Sequence, residues 1–547
     1  MKFVLRVVAV GVAAAMICCV AQAVAAAPVD SPVIIAVVDD GFNTQHQMFR
    51  GMLWRNPAEI PNNAVDDDEN GVVDDIVGWD VSDMDGDVLP ATDRQAALHH
   101  GTFIAGIIAE TIRDQLGERD DYPIKLMFVK AVSDAANRNT VQDGYWGLDY
   151  ALKSGADVVN LSWSGGLVDT QAKQVLASIA NSDSFVVAAM GNYYQDAPIY
   201  PAAHSQVFAV TAVDEKGKSI DGNLGSEADL TAMGAEVASA DVLSSTGVRR
   251  NQGTSVATAR VSAAVALMKL ARPSASRLEI QSCLSMTSYA VDKLNPLFSG
   301  QFGAGALNIS ASINCIKSGL PLDHTFNNPE GVLLFTKGKE RTAQLDWRIQ
   351  PEGVYSGVVL KPFFEGKNTS VQVTISSLLD GEQLWQGAAD TLPHELDFAG
   401  QNIRIELQAS GRKEFRFGVR YAYKLVQLSK RYCEGRQQID SEGSYSDGSG
   451  DADYAHLSDC EWLIVPPKGK NARVTFTTLD TELQQDIIHL FAGETTEQRN
   501  LLLKLSGSQP PSPLLVTGGN PVLIWFVSDR QNSGTGFEFK VDYVEPE

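Results

Sequence analysis

The sequence predicts a three-layer α/β domain with a mainly parallel sheet, followed by two β-sandwich domains. Three observations carry this expectation. From Val33 to about Ser318 short apolar runs alternate with helix-length segments, the rhythm of strand–helix–strand units. Beyond Pro321-Leu322 the helical periodicity fades and short alternating stretches replace it, as sandwich strands require. A chain of 547 residues is also too long to share one hydrophobic core.

In the first domain, residues 30–320, the expected strands are Pro32–Val38, Lys125–Ala131, Val158–Ser162, Phe185–Ala189 and Val207–Val213. Helices are expected at Gly101–Glu118, Gln142–Lys153, Asp169–Asn181 and Val256–Leu270. The middle domain, residues 325–430, alternates at Val371–Ser376, Ile403–Leu407 and Phe415–Tyr421. The last, residues 431–547, opens near Cys433 and passes through an acidic, Gly/Ser-rich segment to Gly450.

Residues 1–25 read as a signal peptide: Lys2 and Arg6 precede the apolar run Val7–Val24, which closes on small residues at Ala21, Ala23 and Ala25. No second long apolar run follows, so no membrane span is expected after cleavage. Export to the periplasm or the medium is the expected destination. Four cysteines lie beyond the leader, Cys283, Cys315, Cys433 and Cys460. An even number in an exported chain favours disulfides. Sequence separation favours Cys283–Cys315 and Cys433–Cys460, each worth roughly 3 to 4 kcal/mol in the chain-entropy picture. A formal charge of −23 argues against nucleic acid or an anionic membrane as a partner, since both would be repelled.

Four segments carry chemistry. Ile35-Ala-Val-Val-Asp39-Asp-Gly41 delivers a carboxylate at the end of a buried strand. His100-Gly-Thr102 opens a helix, where an acid can orient the imidazole; His99 has the same composition but lacks the Gly-Thr that follows. Gly191-Asn192 places a neutral amide donor beyond the run Phe185–Met190, the kind of group an oxyanion requires. Gly253-Thr-Ser255-Val-Ala-Thr-Ala259 puts a hydroxyl at a helix start, beside the positive end of the dipole. Each is weak alone: Asp-Gly ends many strands, Gly-Asn makes ordinary turns, and His or Ser at a helix start is usually a cap.

Their joint occurrence, in the order Asp, His, Asn, Ser, resembles the subtilisin-like serine proteases. Asn160-Leu-Ser162-Trp-Ser-Gly-Gly166 is similar to that family's substrate-binding strand. Tyr200-Pro-Ala202 and Gly303-Ala-Gly305-Ala-Leu-Asn308 are similar to two further motifs. The resemblance covers about Val33–Ser318 and implies a peptidase acting on protein or peptide substrates. It assigns Asp39, His100 and Ser255 to the triad, Asn192 to the oxyanion hole, and Ser162, Trp163, Ser164, Gly165 and Gly166 to substrate binding. Asp40 stands where many relatives carry Thr or Ser, and resembles the pairing in kexin-like members.

Between Asp39 and His100 runs Asp66-Asp-Asp68-Glu-Asn70-Gly71-Val-Val-Asp74-Asp75. Oxygen ligands at alternating positions, with a Gly for the turn, suit a hard cation, although the bidentate Glu of an EF-hand loop is missing. Similar insertions in bacterial relatives look like Ca²⁺ sites, and Asp66, Asp68, Asn70 and Asp75 are the expected ligands. The last domain resembles a CUB domain through Cys433, Asp459-Cys460-Glu-Trp462, Asp486-Ile-Ile488-His-Leu-Phe491-Ala-Gly493 and Gly536-Phe537. The resemblance implies a protein or glycan ligand. Glu482, Asp486 and Asp529 match the acidic positions of calcium-binding CUB domains.

Overall fold

The computed structural model describes residues 31–546 apart from 62, 137–138, 166–169, 194–198, 221, 226, 296–297, 299, 352–354, 367–370, 400–401, 426–431, 434, 451, 456–457, 484–485, 497–499, 517 and 529–532. The expected leader, Gly166 and Asp529 lie outside the described residues.

The α/β portion is built from β1 (Val33–Asp39), β2 (Gly78–Asp80), α1 (His100–Leu116), β3 (Ile124–Lys130), α2 (Gly144–Lys153), β4 (Val158–Leu161), α3 (Thr170–Ser178), β5 (Phe185–Ala189), β6 (Phe208–Val213), β7 (Leu230–Met233), β8 (Val237–Ala240), β9 (Val248–Asn251), α4 (Thr254–Ala271), α5 (Arg277–Met286) and α6 (Ile309–Ser318). Seven strands make one sheet in the order β2-β3-β1-β4-β5-β6-β7, and every pairing in it is parallel. Both faces are covered, so the strands are apolar on successive residues. Ile35 and Val37 pack with α1 and α4, whereas Ala36 and Val38 pack with α2 and α3.

The strand order positions the site. From β1 the chain crosses to β3 on one side, then returns to β4 on the other. A crevice therefore opens between the C-terminal ends of β1 and β4, where open α/β sheets bind ligands. Val37 is level with Asn160; two residues further along lie Asp39 and Ser162. Helix α4 descends through the middle of the domain, buried along nearly its whole length, and its first turn faces that crevice. Sequence periodicity does not reveal β2, β7 or the β8–β9 hairpin: the first two are three and four residues long, and β9 is largely polar.

Two sandwiches follow. The middle one pairs strands 323–326, 342–349, 403–410, 371–377 and 383–388 in one sheet, and 330–337, 415–425, 355–365 and 396–399 in the other. The last has sheets of five and four strands between Gly435 and Val544. Disulfides join Cys283 to Cys315, across α5 and α6, and Cys433 to Cys460. Among the described residues no helix is long and apolar enough to cross a membrane.

The middle sandwich is fused to the α/β domain rather than tethered beside it. Helix α5 begins with a capping box between Ser276 and Glu279, and ends on Met286, which joins the core of the sandwich with Trp347, Phe417 and Tyr421. A Cβ at Gly331 would lie 2.6 Å from the Met286 sulfur, so glycine is what permits the contact. The Asn328 amide donates to Ser288 Oγ at 2.9 Å, and Tyr421 Oη donates to the Asn328 carbonyl at 3.3 Å. Met286→Ala is expected to cost about 2–5 kcal/mol and to raise hydrogen exchange in both 277–286 and 330–337; exchange confined to one of the two segments would contradict a shared core.

Candidate active site

Asp39 ends β1 with no exposed surface, and its two oxygens lie 2.8 and 3.0 Å from His100 Nδ1. The Asp40 backbone N–H donates to Asp39 Oδ1 at 2.8 Å, which fixes the carboxylate's rotamer. His100 is the first residue of α1, and the preceding His99 supplies no side-chain cap. The cap comes from the residue just beyond β1 instead: Asp40 accepts the His100 N–H at 2.9 Å and the Gly101 N–H at 2.7 Å, one on each oxygen. These N–H groups have no partner within the helix.

Ser255 is the second residue of α4, behind Gly253 at φ +125°. Its hydroxyl donates to the Ser162 carbonyl at 2.8 Å, and the Ser162 hydroxyl donates back to the Ser255 carbonyl at 2.9 Å. This reciprocal pair clasps the end of β4 to the start of α4. Asn160 supports it from below, linking Ser162 Oγ to Ser262. In this arrangement the Ser255 hydroxyl engages Ser162, not His100.

Asn192 follows β5. Its Oδ1 accepts from the Thr254 N–H and hydroxyl, both at 3.0 Å. A backbone N–H can only donate, so the oxygen must face Thr254 and the amide's NH₂ is turned away. The turn is held by a residue not legible as functional in sequence. Asn223, wholly buried, donates to the Met190 carbonyl at 2.9 Å and accepts the Tyr193 N–H at 2.8 Å. Of the expected substrate strand, Ser162 to Gly165 are described: Trp163 packs edge-on to Tyr145, and the Gly165 N–H donates to the Tyr200 carbonyl at 2.9 Å.

Residues 30–305 match the model of the subtilase family. The chain belongs to the subtilase family. Subtilisin BL of Lederbergia lenta is 30% identical over 39% of this chain and 77% of that protein. Halolysin of Haloferax mediterranei is 31% identical over 52% and 49%, and the halolysin-like extracellular serine protease Nep of Natrialba magadii 28% identical over 47% and 44%. The chain thus spans about half the length of the two halolysins it matches. Residues 433–542 match the CUB domain.

In this subtilase the electrostatics follow from burial. Burial works against a charged imidazole, but the charge and hydrogen bond of Asp39, with Asp40 behind it, outweigh that and raise His100 to about 9; Arg249 opposes the rise. Burial first, and Asp39 second, push Asp40 up to about 7. Level with Asp39 at the end of β3, Lys130 is a buried ammonium facing Asp80 at 2.5 Å, Asp134 at 3.0 Å and Asp83 at 3.2 Å. That cluster, unmarked by any sequence motif, ties the loop after β2 to the loop after β3.

The acidic loop gathers differently from the sequence expectation. Glu59, Asp68 and Asp75 bring oxygens within 4.8 Å of one another. Asp66 turns away, accepting the Asn70 and Gly71 N–H groups at 3.0 and 2.9 Å, and Asn70 donates to Asp75 at 3.1 Å rather than offering its oxygen there. Glu59, upstream of the expected loop, has no local signal of its own. In the CUB domain Tyr454 donates to buried Asp486 and accepts the Glu482 N–H at 3.0 Å.

Because His100 titrates higher folded than its ordinary 6.5, its pairing stabilises the fold fully below about pH 6.5 and loses that contribution as pH rises towards about 9. Urea denaturation of Ser255→Ala, compared with Ser255→Ala/His100→Gln, is expected to show a stability difference at pH 6 that shrinks by pH 9.5. A pH-independent difference would contradict the shift.

Proposed function

We propose that the chain is an exported, calcium-binding serine endopeptidase that hydrolyses peptide bonds in proteins. The observation that carries this reading is the Asp39–His100 pair, 2.8 Å apart, set at the strand end adjoining the one to which Ser255 is clasped. Rotation about the Ser255 Cα–Cβ bond exchanges its Ser162 acceptor for His100 Nε2. His100 then takes the hydroxyl proton as the oxygen attacks the scissile carbonyl, and returns it to the leaving amine. Asp39 orients the imidazole and stabilises its charged form.

The developing oxyanion would be met by the Asn192 NH₂ and the Ser255 N–H. The first is aimed by Thr254, and the second has no acceptor among the described residues. Residues 162–166 would pair with extended substrate backbone, leaving selection to side-chain pockets. The proposed division is 30–320 for the peptidase domain, 325–430 for the middle sandwich and 431–547 for the CUB unit, whose ligand would be a protein or glycan. The leader, the disulfides and the CUB match support secretion or residence in the periplasm.

Glu59, Asp68 and Asp75 fit a hard divalent cation. All donors are oxygens, Glu59 and Asp75 are nearly inaccessible, and burial, with Asp68 adding to it, pushes Asp75 up against the hydrogen bonds of Tyr150, Asn56 and Asn70. Calcium there would neutralise crowded carboxylates and lock the loop. Glu482, Asp486 and Asp529 would form a second site.

Ser255→Ala is expected to abolish peptide hydrolysis and fluorophosphonate labelling with an unchanged circular-dichroism spectrum. Asn192→Ala should lower kcat roughly 10²–10³-fold, the magnitude known from subtilisin itself, with little change in KM. Retained cleavage by purified Ser255→Ala would remove Ser255 from the mechanism. Chelation should lower Tm, calcium at 100 times its Kd being worth about 2.7 kcal/mol. Glu59→Gln/Asp75→Asn should erase that dependence, and a Tm insensitive to EDTA in the parent would rule the site out.

A further inference from the structure

Two consecutive carboxylates, at the end of β1 and just beyond it, hold the first two residues of α1. Asp39 binds the imidazole of His100, while Asp40 binds the backbone N–H of His100 and of Gly101. Asp40 is 3% exposed, and its two oxygens are each committed to one N–H. The approach is tight: a Cβ at Gly101 would lie 2.9 Å from Asp39 Cβ and 2.7 Å from the Gly41 carbonyl. The contact joins residues 60 and 61 positions apart, and His99 offers the helix no alternative cap. A Ser or Thr at position 40 would bring a neutral hydroxyl in place of a charged, two-oxygen grip.

From this geometry we propose that Asp40 is a positioning residue of the active site: it anchors the first turn of α1 through two amides, and its negative charge joins that of Asp39 in holding the proton on His100. This rests on the reading of His100 as the general base. The groups facing this pair are few. Asp39 is the last residue of β1, His99 immediately precedes α1 and His100 opens it. Arg249 lies on β9 opposite Ser239, whose hydroxyl donates to the Phe103 carbonyl of α1 at 2.8 Å. Asp241 lies 3.9 Å from Arg249. Arg249 favours the neutral imidazole and the two carboxylates favour the charged one, so the carboxylate pair sets the lower pH limit of activity.

The pH profile of kcat/KM on a peptide library separates this from a purely structural cap. In full-length Asp40→Asn the acid limb is expected to move down by about one pH unit, the effect of losing a nearby opposite charge. The alkaline plateau of kcat should fall, by up to about 10²-fold, with KM unchanged, because one N–H then faces an amide NH₂. Asp40→Thr, which keeps one acceptor and no charge, should show the same shift and remains readable if the Asn variant does not fold. A lowered plateau with an unmoved acid limb in a folded variant overturns the proposal, as does a fall expressed only in KM. Failure of the parent enzyme to label with a fluorophosphonate at Ser255 would instead sink the triad reading on which it rests.

Discussion

Everything around the crevice depends on how closely α1 approaches the end of β1. A parallel sheet brings all its strand ends to one edge, where backbone groups run out of partners, and a helix start has the same deficit in its first N–H groups. Here the two deficits meet. Carboxylates at Asp39 and Asp40 serve donors of His100 and Gly101, and only a residue without a side chain at 101 lets the backbones close to that distance. The cost is two acids buried side by side, and the rise of Asp40 to about 7 expresses it. The return is an imidazole whose orientation is set from both ends.

The second half of the site is built on the opposite principle. No charge holds Ser255; it is secured by hydroxyl and carbonyl groups of Ser162, by Asn160 and Ser262 beneath them, and by Thr254 on Asn192. Neutral hydrogen bonds of this kind cost little to rearrange relative to a buried ion pair. The rigid half therefore carries the imidazole proposed as the base, and the adjustable half the hydroxyl that, on that proposal, has to move.

The strands that pack in the middle of the sheet, and the helices that follow them, can be read from the sequence because apolar runs of four to seven residues and small-residue helical stretches are local patterns. So can the ends on which Asp39, His100, Asn192 and Ser255 sit. What cannot be read is what crosses the chain. Glu59 joins Asp68 and Asp75 from outside the acidic run, and Asp66, the most motif-like member, spends its oxygens on local N–H groups. Asn223 braces a turn far back along the chain. Lys130, on paper the polar end of a strand, is a buried cation facing three acids, of which Asp80 is buried with it. Each is a matter of tertiary position, and residue type alone does not encode it.

The seam between α5 and the middle sandwich has a further consequence. Met286 and Tyr421 pack together over Gly331, and Asn328 donates to Ser288 Oγ at 2.9 Å, so cohesion across the seam comes from side chains on both sides of the connecting peptide as well as from the peptide itself. A backbone break near Gly319 would therefore leave a single particle in which the severed parts stay locked together.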